Sequence, residues 1–172
     1  MHMSFGQIAG LGIAAIACGI DLRRHRIPNW LTFGAAFAGL IYRTAVEGAP
    51  GFMDAGAGWF AGAAIFFLPF ALGGLGAGDV KLLAALGAWF GLTDAIWLGL
   101  YTGIVGGVIA LVVALFRGYL RQAFSNVGLL LTHWRVAGLS AVPELTIHNG
   151  NAPKLAYGVS IFAGTVVTIW LR

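Results

Sequence analysis

Apolar residues run through this chain in long blocks, each interrupted by a short cluster of charge, glycine or proline. The first block is Met3–Ile20, and at about 1.5 Å of rise per residue it crosses most of a hydrocarbon core of about 30 Å. Trp30–Val46, Met53–Leu75, Val80–Leu92, Ile96–Phe116 and Leu155–Leu171 follow, so the pattern predicts six membrane-crossing helices. Pro28 suits the first turn of the second helix, where a missing N–H costs nothing. Gly48–Gly51, with Pro50 inside it, reads as a tight turn between the second and third. The fourth block is only about 20 Å long as a helix, short of the hydrocarbon thickness. Either the bilayer thins there, or the glycine-rich segment before it lies below the membrane surface and lines a cavity, where irregular backbone is tolerated. One long polar connection, Arg117–Lys154, contains Asn126–Leu139 as a possible surface-lying helix with Trp134 and Arg135.

Composition agrees with that pattern. Of 172 residues 59% are hydrophobic and 9% charged, and the mean hydropathy is +0.88, far from a soluble globular domain. The expectation is an all-α polytopic bundle forming one integral-membrane domain over 1–172, with the bilayer as a partner. The formal charge of +4 does not point to nucleic acid, because no dense basic face is present. The basic residues instead gather in alternate loops. Arg23, Arg24, Arg26, Lys81, Arg117, Arg121, Arg135 and Lys154 fall on one side, Arg43 and Arg172 on the other. This bias places both termini outside, the 117–154 connection in the cytoplasm, and Asp21, Asp79 and Glu144 at the inner face. The first block has no basic segment before it and arginines after it, the flank order of an anchor rather than a cleaved signal peptide. Cys18 is the single cysteine, which rules out an intrachain disulfide or a cysteine zinc cluster; inside an apolar run it reads as a packed thiol.

Chemistry concentrates in Gly74-Leu75-Gly76-Ala77-Gly78-Asp79-Val80-Lys81. A carboxylate against hydrocarbon costs several kcal/mol, so Asp79 reads as functional; its bland alternative is a helix cap within a glycine break. Gly76 and Gly78 permit close backbone approach there. Asp21 ends the first helix on the same side, though beside arginines it could also be an ordinary surface acid. Asp54 and Asp94 read as solvated carboxylates at outer helix ends, and Arg43 as a residue reaching outward. His2, His25, His133 and His148 are scattered in loops or termini. Two acids held close share a proton and titrate as a unit. One then activates water while the other polarises a scissile carbonyl, without an acyl-enzyme. Lys81 either favours ionisation of this site or meets lipid headgroups. Arg23, Arg24 and Arg26 are topological anchors or a lining for acidic substrate positions. The same acids could instead serve a small proton-coupled carrier, although no internal repeat and no mid-membrane acid support one. A non-catalytic scaffold would tolerate amides at both positions.

At these residues the chain resembles a known family. Gly76-Ala77-Gly78-Asp79 matches the GxGD signature of intramembrane aspartyl proteases, and its continuation to Gly87 is similar to type IV prepilin peptidases. Asp21-Leu22-Arg23-Arg24-His25-Arg26-Ile27-Pro28-Asn29 is similar to that family's first-aspartate segment. The resemblance implies that Asp21 and Asp79 are a catalytic pair removing the short basic leader of prepilins at the cytoplasmic side of a bacterial inner membrane, with no cofactor. Tyr157-Gly158 resembles the family's Pro-Tyr-Gly element, but Ala156 replaces the proline, so the element carries structural weight only. Larger members have an N-terminal segment with paired cysteines and also N-methylate the new terminus. This chain resembles the short, peptidase-only branch of tight-adherence (Flp) pili, for which methyl transfer is not expected; an archaeal preflagellin peptidase has similar architecture.

Overall fold

The computed structural model describes residues 3–138, 140 and 156–172. His2, Leu139, Glu144, His148, Lys154 and Leu155 lie outside the described residues. The described residues form six helices: α1 (Phe5–Arg24), α2 (Asn29–Ala71), α3 (Ala77–Phe90), α4 (Leu92–Phe116), α5 (Leu120–Ala137) and α6 (Gly158–Leu171). Three of them, α1, α2 and α4, are long and apolar enough to cross a membrane, and α6 is a shorter apolar helix. The chain is therefore a helical membrane protein.

The second and third apolar blocks lie on one element, α2, which is turned at Gly48 (φ 66°, ψ −144°), two residues before Pro50. A left-handed φ at that point reverses the chain cheaply only at glycine. The two arms then run back along α3 in opposite directions. In the first arm Asn29 meets Lys81 and Gly39 meets Trp89; in the second, Gly58 meets Gly87 and Gly62 meets Leu83. The third block ends at Ala71 rather than Leu75. Pro69 lies in the last turn, and Gly73 (φ 79°) and Gly74 donate to Phe70 and Pro69 carbonyls, which closes the helix.

The short fourth block is the centre of the bundle. Every residue of α3 from Leu82 to Phe90 is buried, enclosed by α1, both arms of α2, and α4. Without a hydrophobic gain between helices in lipid, such packing depends on close approach. Gly58 and Gly87 supply it: a Cβ on either would run into the carbonyl of the other. Trp89 donates from Nε1 to the Ala35 carbonyl at 2.8 Å and stacks on Tyr42. Of the glycines of α4, Gly106 packs against Tyr157, whereas Gly103 and Gly107 face open space. The tight α4–α6 contact is instead Gly164 against Thr102.

At the end away from Asp21 and Asp79, polar groups lock the connections. Gly91 (φ 82°) joins α3 directly to α4. Asp54 reaches across, accepts the Leu92 N–H at 3.0 Å and pairs with Arg43, which also holds Glu47. Asp54 is thus the cap of a different helix from its own, and Arg43 is folded inward, with a side chain only 17% exposed. Asp94 pairs with Arg172 at 3.2 Å. Helix α5 begins at Leu120, earlier than the Asn126 expected, after a left-handed Gly118 (φ 72°) ends the preceding turn.

Candidate active site

Asp21 lies in the last turn of α1, which ends because His25 turns left-handed (φ 48°) and donates its N–H to the Asp21 carbonyl. The Asp21 side chain points into the bundle and is 6% exposed. Its Oδ2 accepts the N–H of Gly158 at 2.9 Å, the first residue of α6. Gly158 packs so closely that a Cβ there would meet Asp21 Cβ and Oδ2 at 3.0 Å and Cys18 Cα at 3.3 Å. A helix N-terminus is a natural acceptor site for a carboxylate, since its first N–H groups lack intrahelical partners.

Asp79 lies inside α3, not before it. Gly76 is the N-cap, and Asp79, three residues on, turns back to accept the Gly76 N–H at 3.2 Å. This is the acidic half of a capping box, with glycine in place of the usual hydroxyl residue. Gly78 sits against Ile27, whose Cβ would be 3.2 Å from an added Cβ, so the start of α3 is seated on the loop that follows Asp21. Ile27 is buried in that role, and Pro28 N-caps α2 just after it.

These contacts bring the two acids to the same end of the bundle. Asp21 is near enough for its charge to act on Asp79, and Asp79 near enough to act on the Tyr157 phenol. Tyr157 completes the group. Its ring lies edge-on to Phe66 with centroids 5.8 Å apart, over the surface left by Gly106. The Tyr157-Gly158 element, given structural weight only on sequence, thus touches or adjoins both acids. The sequence signal for it is the likeness to Pro-Tyr-Gly, which Ala156 in the proline position weakens.

Other expected site residues lie apart. Lys81 is two positions beyond Asp79 and so on another face of α3; its Nζ donates to Asn29 Oδ1 at 2.9 Å and rests 5.5 Å from the Phe33 ring centroid. Arg23, Arg24 and Arg26 are exposed around the loop between α1 and α2.

A helical membrane protein with two convergent acids at one bundle end is the class that fold and geometry define. The chain matches the model of the type IV leader peptidase family over residues 8–111, more than half its length, and it belongs to that family. It is 31% identical over 121 residues to a prepilin leader peptidase/N-methyltransferase of Xanthomonas campestris pv. campestris, covering 63% of this chain and 42% of that protein. It is 36% identical over 92 residues to a protein of the same name from Klebsiella pneumoniae, covering 50% of this chain and 40% of the relative. The chain thus spans well under half the length of these curated relatives. No solved structure matches it.

Proposed function

We propose that this chain is a membrane-embedded aspartic endopeptidase that removes the short basic leader from type IV, Flp-like prepilins at the cytoplasmic face of the inner membrane. The observation that carries the reading is the placement of Asp21 and Asp79, from two helices distant in sequence, at one end of the bundle in a member of the type IV leader peptidase family, with Gly78 packed on Ile27 of the loop after Asp21. One carboxylate takes a proton from water as that water attacks the scissile carbonyl. The other gives its proton to the carbonyl oxygen; the first then passes the proton it took from water to the scissile nitrogen while the second takes one back from a hydroxyl of the tetrahedral intermediate, which collapses with release of the new amine.

The remaining residues hold this pair. Gly158 orients Asp21 through its N–H, and Gly76 orients Asp79 in the same way. Gly78 keeps the start of α3 close to the Asp21 loop. Exposed Arg23, Arg24 and Arg26 favour the cytoplasmic side for this end by the positive-inside rule. The proposal is confined to the peptidase step, although the names of the two relatives include methyl transfer.

The test is cleavage of an Flp-type prepilin by the purified chain in liposomes, with a methyl donor supplied, read by mass spectrometry of both products. Release of an intact leader by cleavage at one bond, leaving an unmethylated new terminus, supports the reading. Folded protein that leaves several prepilins intact overturns it, and a methylated terminus overturns its restriction to the peptidase step.

A further inference from the structure

The two arms of α2 do not close completely over α3. Between them runs a cleft of about 300 Å³, walled by Leu40 of the first arm and by Phe52 and Trp59 of the second, with Ala88 of α3 in its floor. A smaller space of about 70 Å³ continues it, sharing Phe33, Ala36 and Trp59 and floored by Val80 and Ala84. Val80, Ala84 and Ala88 recur every four residues, one stripe about 12 Å long on α3. The small side chains of that stripe leave the groove, and nearly all of its lining is apolar.

Two features decide what fits. Both arms of α2 sit on α3 at close range, and helices packed at ordinary interaxial distances of about 8–10 Å leave a slot between them rather than room for a further helix, so the groove suits a single hydrocarbon chain. One end of the groove also carries a cation. Lys81 lines the smaller space, held by Asn29 and by the face of Phe33, and no carboxylate among the described residues pairs with it. A Lys fixed at the mouth of an apolar slot complements an anion attached to a hydrocarbon chain. The walls Phe33, Phe52 and Trp59 are 49%, 52% and 44% exposed, so the slot opens sideways, where a membrane protein meets lipid.

We propose that this groove is a binding site for one anionic phospholipid, its acyl chain lying along Val80, Ala84 and Ala88 between the arms of α2 and its phosphate on Lys81. The site lies on a different face of α3 from Asp79, and the inference rests on the membrane reading and not on the proposed cleavage chemistry.

Trp59 in the wall supplies the probe, because bromine on an acyl chain quenches indole fluorescence on contact. The full chain is reconstituted in phosphatidylcholine vesicles containing increasing fractions of dibrominated phosphatidylglycerol or of dibrominated phosphatidylcholine. The Trp59 signal is the difference between wild type and Trp59→Phe. Half-quenching is expected at an about fivefold lower fraction of the anionic lipid, the preference that one basic residue near the surface gives. Lys81→Gln should bring the two lipids together, and Ala36→Leu, which fills the groove but leaves the exposed face of Trp59 to the surrounding bilayer, should likewise abolish the anionic preference. Circular dichroism checks that each variant keeps its helices. Equal half-quenching by the two lipids in wild type overturns the proposal, as does an anionic preference that survives Lys81→Gln. Quenching that a prepilin displaces while headgroup charge has no effect also overturns it, assigning the groove to protein.

Discussion

The sharpest structural demand at the candidate site falls on Gly158. Its N–H reaches Asp21 Oδ2 at 2.9 Å only because no side chain separates α6 from α1; an added Cβ would stand 3.0 Å from both Cβ and Oδ2 of Asp21. Neither neighbour yields easily, since Asp21 is buried and Cys18 Cα, 3.3 Å away, is backbone. Gly158→Ala must therefore push α6 away and stretch the hydrogen bond. Overpacking of this kind costs about 1–3 kcal/mol, and a hydrogen bond to a charged group is worth about 1.5–3 kcal/mol. If the bond orients Asp21 for attack, its loss lowers the rate of leader cleavage about ten- to a hundredfold, at about 1.4 kcal/mol per factor of ten. The assay is cleavage of a prepilin at saturating and limiting concentration, together with thermal unfolding in detergent. Gly107→Ala, at a position with nothing within 4 Å, is the control and should cleave at the wild-type rate. A Gly158→Ala enzyme that matches wild type in kcat and KM would refute the claim that this contact positions the acid.

Three further outcomes follow from the packing. Gly87→Ala drives a Cβ into the Gly58 carbonyl and should lower the unfolding temperature sharply, whereas Gly56→Ala, in open space, should leave it unchanged. Trp89→Phe removes the buried bond to the Ala35 carbonyl and should cost about 1–3 kcal/mol in a denaturation titration, because that acceptor is left without a partner. Arg172→Ala breaks a half-exposed pair with Asp94 and a stack on Trp97, and the same titration should register no more than about 1 kcal/mol.

Much of this architecture was readable from residue patterns because the bilayer sets element lengths. The apolar blocks map onto helices, and Gly48 with Pro50 marks the reversal of α2. The convergence of Asp21 and Asp79 was also legible, since each ends or begins a helix on the same side by the charge bias of the loops. What escaped was long-range pairing. Nothing local distinguishes Gly58 and Gly87, which touch, from Gly103 and Gly107, which face outward. Asp54 was read against its own helix, but its carboxylate caps Leu92, distant in sequence, and recruits Arg43 inward. Lys81 was grouped with Asp79 because it is two residues away, and that same spacing turns it onto Asn29 and Phe33. The contact of Tyr157-Gly158 with the Asp21 side depends on how α6 packs on α1, which no local pattern encodes.

The central claim is that Asp21 and Asp79 are both required for hydrolysis. Its most direct test is the rate of prepilin cleavage in liposomes by wild type, Asp21→Asn and Asp79→Asn, each confirmed helical and equally reconstituted. An amide preserves size and most hydrogen bonding but neither takes a proton from water nor delivers one to a carbonyl oxygen. The account predicts that wild type releases the leader and that each amide abolishes release. Cleavage at the wild-type rate by either amide would contradict it.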